Sequence, residues 1–333
     1  MTTLPSAEVL ALAKDAGFDL AGLAPAEPIP RAVLVDWLAA GHHADLDWMG
    51  ERLEERLDVT RLLPHAQTVI ALACNYWRGD EPSPIARYAR GRDYHATMRD
   101  RLRGLRRALR ARFSGVRDYA EVDAGAVMEK VWGVRAGLGT VGKNGCFITP
   151  RFGSWVVLSV MVLDAPVDAY ATPAPLDVCG ECRLCLDACP TGAFPAPRVV
   201  DARACLSYQT IENEGPVPPA LREAMGHLVF GCDLCQDVCP FNATPLEAQP
   251  RFVPREVSTV PVRRLAAMTR DEYQRWAPGT ALARAGYDGL RRNAAYALGA
   301  VRDGGARAVL EALRSDESAV VREAADWALG RLV

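Results

Sequence analysis

The run Cys179-x2-Cys182-x2-Cys185-x3-Cys189, followed at once by Pro190, constrains this chain more than any other feature. Two-residue gaps wrap a tight loop around one iron–sulfur cubane, and the fourth cysteine of such a run reaches a second cluster as the proline turns the chain away. A second half, Cys232-x2-Cys235-x3-Cys239-Pro240, lacks a first partner at local spacing, and Cys205 is the candidate to supply it from a distance. Crossed ligation then gives Cys179, Cys182, Cys185 and Cys239 to one 4Fe-4S cluster, and Cys189, Cys205, Cys232 and Cys235 to the other. This uses all eight clustered cysteines of the ten in the chain and leaves Cys74 and Cys146 apart. Zinc is the alternative, but four-cysteine zinc sites usually pair two C-x2-C knuckles and lack the longer run. Disulfides belong to oxidising compartments. The N-terminus, MTTLPSAEVLALAKDAGFDLAGL, has no basic n-region and no apolar h-region, so a cytoplasmic protein is expected. Two clusters placed so close together form an electron wire, and something must be reduced or oxidised at its end.

The flanking sequence divides around this segment. Residues 6 to 16 and VLVDWLAAG at 33 to 41 read as amphipathic helices, the second stopped by Gly41. HAQTVIALACNY, between Pro64 and Tyr76, is a continuous apolar run that predicts a strand buried on both faces. Met98, Leu102, Leu105 and Leu109 predict a helix over 96 to 113, and SWVVLSVMVLD, from Ser154 to Asp164, is the clearest strand. This alternation predicts an α/β domain over residues 1–165. The Pro-rich stretch DAPVDAYATPAPLD opens a two-cluster, ferredoxin-like module over 166–250, and FNATPLEAQPRFVPREVSTVP closes it. In the last part, 251–333, RRNAAYALGA and VREAADWALGR align Ala297-Leu298-Gly299 over Ala328-Leu329-Gly330, a period of 31 residues. Either a short HEAT-like helical array or two Ala-rich helices sharing a common triplet would give this pattern. Nowhere does the chain offer the roughly 20 apolar residues of a membrane span.

A net charge of -2 and a pI near 6.3 give no global attraction to polyanions, so any nucleic-acid site must be a local patch. One candidate exists: Arg87, Arg90 and Arg92 lead into a helix carrying Arg99, Arg101, Arg103, Arg106, Arg107, Arg110 and Arg112. It suits phosphate contacts, and equally a solvated helix in an arginine-rich chain. Gly137-x-Gly139-x-x-Gly142-Lys143 nearly matches both the dinucleotide fingerprint and the P-loop, but a helix-like segment precedes it where both need a strand, and Asn144 replaces the magnesium-binding Ser or Thr. Close backbone approach explains those glycines better. His43, His95 and His227 lack metal-ligand spacing and read as structural.

ARYARGRDYH at 86 to 95, EVDAGAVMEK at 121 to 130, RAGLGTVGKN at 135 to 144 and FGSW at 152 to 155, together with the cysteines, resemble the epoxyqueuosine reductases of tRNA queuosine biosynthesis. The resemblance covers nearly the whole chain. It implies a reductase domain that holds cobalamin base-off, fed by the two-cluster module, and a tRNA substrate carrying epoxyqueuosine whose epoxide oxygen leaves as water. It also implies an external electron donor, flavodoxin- or ferredoxin-like, and no membrane. No D-x-H-x-x-G motif suggests a histidine ligand to cobalt. Carried over by position, Asp123 matches the family's catalytic acid, with a carboxyl pKa raised by an apolar pocket. From the residues alone Asp123 reads as a helix N-cap ahead of AVMEK. Arg56, Asp123, Phe147, Leu158, Ser207 and Asp233 fall where the family contacts cobalamin, and Tyr88 and Tyr94 could stack on an extruded base. Two competing readings remain, a corrinoid-dependent reductive dehalogenase and a non-catalytic electron carrier. The first commonly has an export signal and no helical tail, and the second leaves the large N-terminal domain without a purpose.

Overall fold

The computed structural model describes residues 3–332. In chain order the N-terminal part holds α1 (Ser6–Asp15), β1 (Leu20–Pro25), α2 (Ala32–Ala39), α3 (Leu53–Leu57), β2 (Thr68–Asn75), α4 (Tyr94–Arg112), β3 (Asp118–Glu121), α5 (Glu129–Arg135), β4 (Thr140–Val141), β5 (Phe147–Ile148) and β6 (Val156–Leu163). Four strands form one sheet in the order β1-β2-β6-β3, antiparallel throughout. The domain therefore mixes helices and strands as expected, but its sheet is not the parallel one that alternating elements most often build.

All eight residues of β2 are buried, because the sheet is covered on both faces. Ile70, Leu72 and Cys74 face a core built with Val9 and Ala13 of α1 and with Met98, Leu102, Leu105 and Leu109 of α4. Val69, Ala71 and Ala73 alternate with them and pack toward Trp132 of α5. The strand's two-residue period is thus masked in sequence by apolar residues on both sides. The glycine segment after α5 is the short hairpin β4–β5. A Cβ on Gly139 would stand 2.1 Å from the Ile148 carbonyl oxygen, so only glycine permits that approach.

The cysteine segment carries three short helices, α6 (Leu184–Asp187), α7 (Leu206–Ile211) and α8 (Leu234–Asp237). Trp37 Nε1 donates to the Val200 carbonyl at 2.7 Å, Asn75 Nδ2 to the Leu246 carbonyl at 2.6 Å, and Ser154 Oγ to Gln236 Oε1 at 2.9 Å, which lashes this segment to the sheet domain. The C-terminal part is helical: α9 (Val262–Ala266), α10 (Arg270–Trp276), α11 (Gly286–Ala300), α12 (Arg307–Leu313) and α13 (Ala319–Arg331). Every residue of α11 from Leu290 to Gly299 is buried. Its Arg292 donates to the carbonyls of Gln209, Asn213 and Gly215, and Asn293 Nδ2 to those of Thr210 and Val229. A single buried cluster accordingly runs from Ile85 through Leu206 and Phe230 to Ala328.

Candidate active site and cluster cysteines

The end of β3 and the start of α4 meet at a cleft of about 660 Å³, lined from the sheet domain by Arg56, Tyr94, His95 and Asp123 and from the other side by Ile211, Phe230 and Arg284. Asp123 lies in the loop between β3 and α5 with φ at +56°, a left-handed conformation that non-glycine residues seldom adopt. Met128, not Asp123, is the N-cap of α5, so the capping alternative fails. The Asp123 backbone N–H donates to Glu129 Oε1 at 2.8 Å, which fixes the turn and aims the carboxylate into the cleft.

There Tyr94 donates its hydroxyl to Asp123 Oδ2 at 2.5 Å, and His95 Nε2 stands 3.2 Å from the same oxygen. His95 Nδ1 lies 2.8 Å from Asp93 Oδ1, and Asp93 caps α4 by accepting the His95 backbone N–H. Both carboxylates engage the ring, one at each nitrogen. Burial alone would lower the His95 pKa, but the hydrogen bonds to Asp123 and Asp93 outweigh it and raise it to about 9. Burial would raise that of Asp123, but His95 and Tyr94 hold it below the ordinary carboxylate value. This corrects the expectation of a raised carboxyl: although the walls of the cleft surround the side chain, it is 61 % exposed toward the open mouth and sits beside a cation. Glu129 behaves oppositely, with burial and then the Asp123 charge pushing its pKa up to about 7.

Arg56, 6 % exposed, donates to the carbonyls of Glu51, Trp48 and Gly125, so it shapes the wall beside Asp123. The other residues assigned to cobalamin contacts stand elsewhere. Phe147 is buried with its ring against Gly133, Leu158 lies on β6, Ser207 follows Cys205 on α7, and Asp233 is buried, accepting the Arg87 backbone N–H at 2.7 Å. None of the four lines the cleft. Tyr88 does, edge-on to Tyr94.

Cys179, Cys182, Cys185 and Cys239 surround a second hollow of about 210 Å³. Cys239 thus joins the first three across some fifty residues of chain. Cys205, Cys189 and Cys232 lie near one another: burial first, then Cys205, the Asp233 carboxylate and Cys189, push the Cys232 thiol up to about 12 against a backbone hydrogen bond at Leu234. Cys235 is close to Cys232 and Cys205, and also to Cys146. Thiols spread around a hollow suit a polynuclear cluster, each sulfur meeting a different iron.

The arginines of α4 are mostly spoken for. Arg106 and Arg110 pair with Asp118, Arg112 with Glu8, and Arg92, Arg103 and Arg251 with Asp100, while Arg101 is buried against Cys74 and Gln249. With three carboxylates, Asp100, Asp118 and Glu8, against seven helix arginines, the helix keeps a net positive face that suits phosphate contacts and a solvated surface alike. His95 corrects the sequence reading, since it lies in the site. The adjacency Asp93-Tyr94-His95, inside the segment that carries the family resemblance, was the available signal.

A double-cluster segment joined to a cleft with paired acid–base groups defines an iron–sulfur oxidoreductase. A family model described as "4Fe-4S double cluster binding domain" matches residues 178–242, and one described as "Epoxyqueuosine reductase QueG, DUF1730" matches 56–124. An epoxyqueuosine reductase of Gloeobacter violaceus is 41% identical over 91% of this chain and 98% of its own, and one of Xanthomonas campestris is 36% identical over 98% and 96%. The chain belongs to the epoxyqueuosine reductase family. A crystal structure of an epoxyqueuosine reductase with an epoxyqueuosine-modified tRNA-Tyr stem loop superposes with a TM-score of 0.91 at 30% identity, covering 98% of this chain and 89% of that one. Another, from Bacillus subtilis, has a TM-score of 0.90 at 29% identity over 98% and 90%, and is described with its catalytic loop swung out of the active site.

Proposed function

We propose that this protein reduces epoxyqueuosine to queuosine at the wobble position of tRNA, with Asp123 delivering the proton to the departing epoxide oxygen. The observation that carries the reading is the Asp123–His95–Tyr94 constellation at a cleft whose far wall includes the end of the helix capped by Cys205, in a chain of this family. Two 4Fe-4S clusters fit the two gathered sets of thiols, Cys179, Cys182, Cys185, Cys239 and Cys189, Cys205, Cys232, Cys235. Base-off cobalamin fits the large cleft, whose far wall includes Ile211, on the helix that follows Cys205. Bound there, cobalamin would supply low-valent cobalt for two-electron chemistry on the epoxide. Arg56 and Asp123, which line that cleft, would meet it from the sheet domain, whereas Ser207, Asp233, Phe147 and Leu158 lie off its lining and would not touch a group held there.

The residues present account for the rest of the chemistry. An epoxide oxygen does not depart as an alkoxide at neutral pH without a proton, and the cleft places Asp123 where it can give one. Tyr88 and Tyr94 offer ring faces and edges to an extruded base. The three-part division at 165 and 250 assigns substrate chemistry to the first part, electron delivery to the second and, as a HEAT-like unit, support to the third. A flavodoxin- or ferredoxin-like donor would feed the clusters. No helix among the described residues is long and apolar enough to cross a membrane, and a tRNA substrate is consistent with a cytoplasmic enzyme.

Single-turnover conversion of epoxyqueuosine in tRNA by anaerobically reconstituted, chemically reduced enzyme tests the reading. Parent enzyme should form queuosine, and Asp123→Asn should lose on the order of a hundredfold to ten-thousandfold in rate with clusters and tRNA affinity retained. Parental turnover by Asp123→Asn would remove Asp123 from the role.

A further inference from the structure

A proton donor must hold a proton when the substrate arrives, and the surroundings of Asp123 do not favour one on its carboxylate. The nearest proton lies one bond further back. His95 is gripped at Nδ1 by Asp93 and at Nε2 by Asp123, and it sits in the first turn of α4, where a protonated ring has no favourable helix dipole to thank. Its charge is maintained by the two carboxylates alone.

We propose that His95 stores the proton used by the reaction and passes it through Asp123 to the epoxide oxygen, with Asp93 as the positioning residue that fixes the ring. The inference rests on the epoxide-reduction reading. In the step, the C–O bond breaks and its electron pair goes to oxygen. The His95 Nε2–H bond breaks as its proton passes to the Asp123 carboxylate, and oxygen takes that proton from Asp123, which ends as the carboxylate it began. The net change is one proton from imidazolium to oxygen, leaving neutral imidazole and two carboxylates. Loss of the oxygen as water breaks both C–O bonds with their pairs on oxygen, places two electrons from the low-potential donor in the new C=C π bond, and consumes two protons. The relay delivers the first proton, and His95, recharged from solvent at the open cleft, delivers the second.

The remaining groups facing the pair agree with this assignment. Tyr94, driven up by burial and by the Asp123 charge, stays a neutral donor to Oδ2 and competes for no proton. Lys130 acts on Asp123 from α5 and favours its ionised form, whereas Glu129, beneath the backbone of Asp123, opposes it. Arg52, Arg56, Glu51, Glu212 and Arg284 stand on the cleft walls, the last two paired with each other at the far side. His95, with its pKa near 9, is charged at neutral pH while Asp123 is not protonated.

Two measurements test the relay. Nuclear magnetic resonance of labelled histidines in the full-length protein without cofactors follows the five rings directly. One should titrate near 9, vanish in His95→Gln, and fall by at least one unit toward the ordinary value of about 6.5 in Asp123→Asn. A His95 that titrates near 6.5 in the parent overturns the proposal. In single turnover with reduced, reconstituted enzyme, the rate should decline above pH 9, and Asp93→Asn should move that decline to lower pH by at least half a unit with tRNA affinity unchanged. His95→Gln should lose tenfold or more at pH 7 and lose the alkaline decline. A decline that stays in place in Asp93→Asn, or persists in His95→Gln, refutes the relay. If the parent forms no queuosine at all, the functional reading fails, and the resonance titration still decides where the proton resides.

Discussion

Glu129 connects the local backbone to the acid–base chemistry of the site. It accepts the Asp123 N–H that holds the left-handed turn, yet burial and the neighbouring carboxylate keep its pKa near 7 instead of 4.5. A carboxyl with a raised folded pKa binds its proton more tightly in the native than in the unfolded state. Stability therefore falls as pH rises between about 4.5 and 7, and the loss is complete above that window. Glu129→Gln keeps the acceptor and removes the charge. It should be more stable than the parent by about 1–2 kcal/mol at pH 8 and no more stable at pH 4, as read by urea unfolding across pH. His95 contributes in the adjoining window: its raised pKa stabilises the fold fully below about 6.5 and is lost as pH passes 9. Neither residue stood out in the sequence. A lone Glu in AVMEK and a lone His in RDYH have no spacing signature, because the contact between β3, α4 and α5 that gives them meaning spans 28 and 6 residues of separation to Asp123. Asp123 itself became visible through family resemblance alone.

Among the elements, α11 and α13 share the sequence motif but not the same surroundings. The period of 31 residues places Gly299 and Gly330 at equivalent points. A Cβ on Gly299 would lie 2.6 Å from Ala328 Cα and 2.7 Å from the Trp327 ring, because the two helices approach closely there, while nothing lies within 4 Å of the corresponding point on Gly330. Gly299→Ala should therefore destabilise by about 1–3 kcal/mol through overpacking. Gly330→Ala should be neutral, or stabilising by up to about 1 kcal/mol through helix propensity. Thermal unfolding of both variants checks the contrast, and equal effects would mean that the helices do not pack as described. Such asymmetry fits a helix with one face covered. The periodicities of α4, β2 and β6 were legible because their apolar residues fall at 3.6-residue intervals or in unbroken runs. The pairing of the strands was not, since apolar runs of this length serve parallel and antiparallel neighbours alike. The arginines of α4 could be counted in sequence, but Asp100, Asp118 and Glu8, which pair with four of them, come from three different elements.

For the molecule as a whole, the Pro-rich stretches read as domain boundaries in the sequence, but a boundary carries no information about which residues share a core. Buried bonds from Arg292 and Asn293 tie the tail to the carbonyls of residues 209 to 229, in the loop between Cys205 and Cys232. The cysteine loops are thus held from the sheet side by Ser154 and Arg87 and from the tail side by α11, which lets thiols distant in sequence share one hollow. This crossing dictates which cysteine variants share a phenotype. If Cys239 completes the set of Cys179, Cys182 and Cys185, then Cys239→Ala and Cys179→Ala should damage the same cluster and leave the same paramagnetic signal from the survivor. Cys205→Ala should instead reproduce Cys189→Ala. Loss of one thiolate ligand leaves three for a cubane, so each variant should lose up to one cluster's complement of iron while retaining the other. Serine variants, which can still offer an oxygen, control for collapse of the loop. Iron counting with paramagnetic resonance on anaerobically purified protein separates the two outcomes: signals that group Cys239 with Cys232 and Cys235, its neighbours in sequence, would show that each half of the segment closes on itself, and the shared hollow would then have no bearing on ligation.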